Sequence, residues 1–146
     1  MQKPEIPVFF TIDDSYAPYL GVAITSMREN ASREYDYNII IVEQDLSEGN
    51  RKKLQKLNGP GFSTRFVRME PLAEKITDRE ENRLRCDYFT LTIYYRLFIA
   101  DMFPQYDKAI YLDSDVVIPG DISGLYRTDL KGCLIGACPD HSIADV

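Results

Sequence analysis

Basic residues are scarce in this chain: 17 Lys and Arg stand against 23 Asp and Glu, a formal charge of −6 at neutral pH. Such a surface cannot neutralise many phosphates, which excludes nucleic acid as a partner and makes tight adsorption to an anionic bilayer unfavourable. No run of about 20 apolar residues occurs, so no transmembrane helix is expected. The segment before the first predicted strand, MQKPEIP, has no long apolar stretch either, which predicts a cytoplasmic location with peripheral membrane contact left open. The three cysteines, Cys86, Cys133 and Cys138, are odd in number and lack CxxC spacing, so neither a structural zinc nor a disulfide framework is expected, and they read as reduced, mostly buried thiols. No Gly-x-Gly-x-x-Gly follows the first predicted strand, which disfavours a dinucleotide-binding Rossmann enzyme. The one histidine, His141, reads as an exposed loop residue with no metal role. No internal repeat, low-complexity tract or linker interrupts the chain, and residues 1–146 read as a single domain.

What is present suits a packed core: 146 residues, 45% of them hydrophobic, with seven Phe and ten Tyr. Residues 6–12 (IPVFFTI) are apolar nearly throughout, the mark of a parallel strand covered on both faces. After Asp13, Asp14 and Ser15, residues 16–30 place Tyr16, Leu20, Ala23, Ile24 and Met27 at helical spacing, with Pro18 tolerable in the first turn. A second strand is predicted at 38–42, then a helix capped by Ser47 that carries Leu54 and Leu57. A shorter strand follows at 64–69, and the charged run at 77–85 reads as a solvated loop or helix face. Thr90 caps a predicted helix whose stripe is Leu91, Tyr94, Tyr95, Phe98 and Met102, with Arg96 on another side. Further strands are predicted at 108–112 (KAIYL), 116–118 and 133–138. Alternating strands and helices imply a three-layer α/β/α sandwich with a mainly parallel sheet. Ligands collect beyond the carboxyl ends of strands in such sheets, where Asp13, Asp113, Asp115 and Asp140 all fall.

Asp113-Ser114-Asp115 is the sharpest chemical signal. Fourteen Asp in the chain would yield about one Asp-x-Asp pair by chance, so its place directly after a predicted strand decides its weight. On an extended backbone, residues two apart point to one side, so both carboxylates can converge on one cation while Ser114 faces away. Hard oxygen donors suit Mn²⁺ or Mg²⁺, whose other positions a diphosphate and water can fill, and such a metal would neutralise a leaving diphosphate. The alternative is a polar turn with two solvated carboxylates. In the first turn, a flat base could stack on Tyr16 while Asp13 accepts its ring N–H; Asp14 or Ser15 could equally cap the following helix, and the two roles can coexist.

The ordered segments VFFTIDDSYAPYLGVAITSM, IIIV, LTIYYRLFIADMFP, YDKAIYLDSDVVIPGDISGLYRTDL and LIGACPD resemble the retaining glycosyltransferases of family 8, the group of bacterial lipopolysaccharide galactosyl- and glucosyltransferases and glycogenin. The resemblance implies a GT-A (Rossmann-like) fold, a UDP-hexose donor (UDP-galactose or UDP-glucose), a glycan or other hydroxyl acceptor, and Mn²⁺ held by Asp113 and Asp115. It further implies ribose contact at Ser114, uridine contact through Asp13, Asp14, Ser15 and Tyr16, and sugar or diphosphate contact by Arg96, whose guanidinium keeps its charge. Relatives often have Asn where this chain has Ser15. Asp140 matches an Asp that bonds the donor sugar, and Tyr88 and Phe89, just before Thr90, are expected to line the acceptor pocket. Catalytic domains of this family are about twice as long as this chain. It therefore reads as the N-terminal, nucleotide-sugar-binding part of one, lacking the third metal ligand and any nameable nucleophile. Two rival readings remain: a haloacid-dehalogenase-type phosphatase, since Asp113-Ser114-Asp115-Val116-Val117 fits its Asp-x-Asp-x-Val pattern, and a nonenzymatic nucleotide-binding fragment.

Overall fold

The structure, a computed structural model, describes residues 3–68 and 95–138. Four strands form one sheet, β1 (Glu5–Ile12), β2 (Asp36–Glu43), β3 (Phe62–Arg68) and β4 (Ile110–Tyr111), in the order β3-β2-β1-β4 with every pairing parallel. The predicted parallel α/β architecture is present. β1 lies centrally, with Val8 opposite Ile39 on one side and Ile110 on the other. Central position explains its composition. Ile6, Val8, Phe10 and Ile12 join one core cluster and Phe9 the other, so alternate residues meet helices on opposite faces and none of these side chains reaches water.

Helix α1 (Ala17–Asn30) follows a short 3-10 turn (Asp14–Tyr16) and buries Leu20, Ala23, Ile24 and Met27 against the even-numbered side of β1, the stripe expected from the sequence. Helix α2 (Glu48–Gln55) starts where predicted, with Ser47 Oγ accepting the Asn50 N–H at 3.3 Å. Glu48 in its first turn and Lys52 and Lys53 in its last agree with the helix dipole. A half-buried ion pair ties α2 to the end of β2: Arg51 reaches the buried Glu43 at 2.6 Å, while its guanidinium sits 4.7 Å from the Phe66 ring centroid.

The opposite face is built around Phe9, Ile40, Val42, Tyr95 and Phe103, all buried, with Phe9 and Phe103 edge to face at 4.8 Å. Here the helix expected from 91 onward is described only from Tyr95; Arg96–Phe98 is a 3-10 turn that leads into α3 (Ile99–Met102), and Thr90, Leu91 and Tyr94 lie outside the described residues. The charged run 77–85 lies outside them too.

Several expectations need correcting. Residues 116–118 are not a strand: Ile118 N–H donates to Ser26 Oγ at 3.0 Å and its carbonyl accepts from Asn30 Nδ2 at 3.0 Å, so this segment is tied to α1 instead of a ladder. Residues 133–138 form no strand either; Leu134 and Ile135 are 97% and 81% exposed, and among the described residues no strand pairs with them. Cys133 and Cys138, on the same segment, are exposed free thiols, not buried ones; Cys86 lies outside the described residues. β4 covers two residues of the five expected, and a helix that periodicity did not reveal, α4 (Ser123–Arg127), follows with Asp121 Oδ1 accepting the Ser123 N–H at 2.9 Å. No helix among the described residues is long and apolar enough to cross a membrane.

Candidate functional site

The carboxyl ends of β1 and β4, adjacent in the sheet, deliver two acidic turns to one edge of the molecule. In the turn after β1, Asp13 is the cap: its Oδ1 accepts the Tyr16 N–H at 3.1 Å and the Ser15 hydroxyl at 2.6 Å. Among the described residues nothing donates to its other oxygen. Tyr16 is 41% exposed, with the Tyr19 ring 5.6 Å away and tilted by 46°, which leaves an aromatic face open to a ligand.

Asp14 points elsewhere. Its Oδ1 accepts the Ser47 N–H at 2.8 Å and Asn50 Nδ2 at 3.0 Å, its carbonyl accepts from the same amide at 3.3 Å, and its own N–H donates to Asp45 Oδ1 at 3.2 Å. The Ser47 backbone N–H, then the Ser47 and Asn50 side chains, hold the Asp14 carboxyl below its ordinary value of 3.8. Asp14 is thus a clip between the first turn and the start of α2. Sequence reading grouped it with the nucleotide contacts; the pattern that could have revealed the clip is Ser47-x-x-Asn50 at the next helix start.

In the turn after β4, Asp113 and Asp115 are exposed and Ser114 between them is 5% exposed, so burial alternates as expected although Ser114 and Asp115 lie in a turn and not in an extended strand. Arg96 donates to Asp113 Oδ1 at 3.2 Å and lies 4.9 Å from the Tyr111 ring centroid. Tyr111 donates its hydroxyl to the same Oδ1 at 3.2 Å and is hydrogen-bonded to Thr11 Oγ1 at 2.8 Å. Burial pushes the Tyr111 phenol above its ordinary 10.0, which keeps it a proton donor near neutral pH. Neither Thr11 nor Tyr111 stands out in the sequence, because both sit inside apolar runs. Asp140, His141, Tyr88 and Phe89 lie outside the described residues.

Two exposed carboxylates suit a hard divalent ion that keeps positions for phosphate and water. Among the described residues no group of three or more His, Cys, Asp or Glu could hold a metal, so this donor set is complete only with ligands from elsewhere. A groove of about 540 Å³ between α1 and α2, lined by Ala17, Gly21, Val22, Lys53 and Leu54 among others, holds none of these acidic groups and belongs to the helix packing.

The family model described as glycosyl transferase family 8 matches residues 7–146. The chain belongs to glycosyltransferase family 8. A putative glycosyltransferase of Haemophilus influenzae is 28% identical over 136 residues, an overlap of 93% of this chain and 39% of the relative. Probable galacturonosyltransferase 14 of Arabidopsis thaliana is 40% identical over 148 residues, 92% of this chain and 27% of that protein. Among solved structures, the galactosyltransferase LgtC in complex with donor and acceptor sugar analogues superposes with a TM-score of 0.71 at 29% identity, covering 86% of this chain and 43% of LgtC. The chain spans less than half the length of each of these relatives. The sheet and its helices are those of the GT-A fold, and family 8 membership sets the phosphatase reading aside.

Proposed function

We propose that this chain is the nucleotide-sugar-binding part of a metal-dependent retaining glycosyltransferase that moves a hexose, galactose or glucose, from a UDP-sugar to a hydroxyl acceptor on a glycan such as lipopolysaccharide. The observation that carries this reading is that Asp13 and Tyr16 follow β1 while Asp113 and Asp115 follow its parallel neighbour β4, with Arg96 bonded to Asp113. Family membership supports the reaction class.

In this reading the second oxygen of Asp13 accepts the uracil ring N–H, and the ring lies on Tyr16. Asp113 and Asp115 hold Mn²⁺ or Mg²⁺, which when bound neutralises charge on the departing diphosphate. Arg96 supplies a permanent positive charge beside them, able to turn from Asp113 to a phosphate oxygen because both side chains are solvent-accessible. The acidic chain thereby binds an anion through one cation and one arginine, with no need of a basic surface.

Calorimetric titration of UDP with and without Mn²⁺, on wild type and Asp115→Ala, tests the assignment. Binding is expected to require the metal and to weaken at least tenfold in the variant, in line with the loss of one ligand from a two-carboxylate site. Metal-independent binding, or a variant that binds as well as wild type, would refute the metal role and with it the mechanism. Hydrolysis of UDP-galactose or UDP-glucose by a protein containing this chain would separate an enzyme from a nonenzymatic nucleotide-binding fragment.

A further inference from the structure

Backbone pairing stops just short of the metal-binding turn. The last ladder contact of β4 is the Leu112 N–H to the Phe9 carbonyl at 3.1 Å, and among the described residues no backbone hydrogen bond holds Asp113 to β1 beyond it. Asp113 must therefore be oriented by side chains. Phe9 and Tyr111 are partners in the parallel register; Thr11 lies two residues further along β1, and Asp113 two residues past the end of β4. The tyrosine packs its ring against the Phe9 cluster, and its hydroxyl is hydrogen-bonded to both Thr11 and Asp113.

Proton counting fixes the direction of these bonds. The Tyr111 hydroxyl carries one proton, and an ionised Asp113 carboxylate can only accept, so the tyrosine donates to Asp113 Oδ1. It then has only lone pairs left for Thr11, and Thr11 must be the donor in the 2.8 Å contact. We infer that Thr11 and Tyr111 form a one-way relay, Thr11 Oγ1–H to Tyr111 O–H to Asp113 Oδ1, which aims the Asp113 carboxylate at the divalent cation. Tyr111 and Thr11 are positioning residues; neither touches the ion. Because both donors reach Asp113 Oδ1, Oδ2 would remain available to a bound cation, and Tyr111, packed against the Phe9 cluster, would keep its bond if the exposed Arg96 turned to a phosphate. A chain of donors polarises each successive bond, so removing the distal hydroxyl weakens the proximal one.

This inference rests on the assignment of Asp113 and Asp115 to the metal, and the test keeps the two apart. Mn²⁺ binding is measured by the electron paramagnetic resonance signal of the free ion, in the presence of UDP, for wild type, Asp115→Ala, Tyr111→Phe and Thr11→Val, with thermal melting of each metal-free protein alongside. Tyr111→Phe keeps the ring under Arg96 and is expected to weaken Mn²⁺ binding about tenfold, the usual scale for an outer-shell partner, with metal-free melting close to wild type. Thr11→Val is expected to weaken it by roughly twofold to threefold, since Thr11 acts only through the tyrosine. If Tyr111→Phe and Thr11→Val both bind Mn²⁺ as wild type does while Asp115→Ala does not, the relay is overturned and the metal site stands. Should Asp115→Ala bind as wild type, the metal site itself is overturned. Where Tyr111→Phe fails to fold, Thr11→Val, nearly the same shape as threonine, decides alone.

Discussion

The turns after β1 and β4 hold acidic side chains at neighbouring strand ends, yet they are secured in different ways. Residues 13–16 are fixed largely through backbone N–H donors: Asp13 accepts the Tyr16 N–H, and Asp14 accepts the Ser47 N–H together with the Asn50 side-chain amide at the start of α2. Residues 113–115 are held at Asp113 by two side chains, the exposed Arg96 and the core-anchored Tyr111. A backbone donor cannot leave without unfolding a helix start, whereas an exposed guanidinium such as that of Arg96 can change rotamer. A pre-formed ledge for a flat base beside an exchangeable cradle for a metal and phosphates is what the proposed donor requires.

Three measurements break or sharpen this contrast. The largest effect is expected from Arg96→Ala, which should weaken UDP binding in the presence of Mn²⁺ by about tenfold to a hundredfold, because a charged hydrogen bond contributes roughly 1.5–3 kcal/mol; calorimetry that shows wild-type affinity would place Arg96 outside the phosphate site. Next, Ser47→Ala removes the cap of α2 on the rigid side and should cost about 1 kcal/mol in urea-induced unfolding. It should leave Mn²⁺ affinity nearly untouched, and a large loss of metal binding would show that the two turns are coupled. The smallest effect belongs to Asp14→Asn, whose amide oxygen can still accept the Ser47 N–H. Since folding lowers the Asp14 pKa from 3.8, its charge contributes stability above that value and the contribution is lost as pH falls through the folded pKa. Stability curves of wild type and Asp14→Asn should therefore separate near neutral pH and converge in acid, and a gap that widens in acid would contradict the clip.

Much of the fold was legible in the residues. IPVFFTI reads as a doubly covered strand because its even- and odd-numbered residues are alike apolar, and β1 is in fact buried on both faces. The α1 stripe and the Ser47 cap were equally readable, since capping and 3.6-residue periodicity are local. LIGAC failed as a strand because an apolar run specifies burial without naming a partner, and among the described residues no neighbour pairs with it. Within the candidate site, the Asp-x-Asp spacing of Asp113 and Asp115 after an apolar run was legible in the sequence. The division of labour between Asp13 and Asp14 was not, because two adjacent identical side chains differ only in what their directions meet.

Sequence alone determined the alternation of strands and helices, the acidic charge balance, and the positions of the acidic turns, all of which depend on residue type and near neighbours. Tertiary structure decided which turns share an edge, that Asp14 serves α2, and that Thr11 and Tyr111, a hundred residues apart, meet beside Asp113. The physical reason is range: propensity and periodicity act over a few residues, while the parallel register of β1 with β4 brings distant side chains within hydrogen-bond distance.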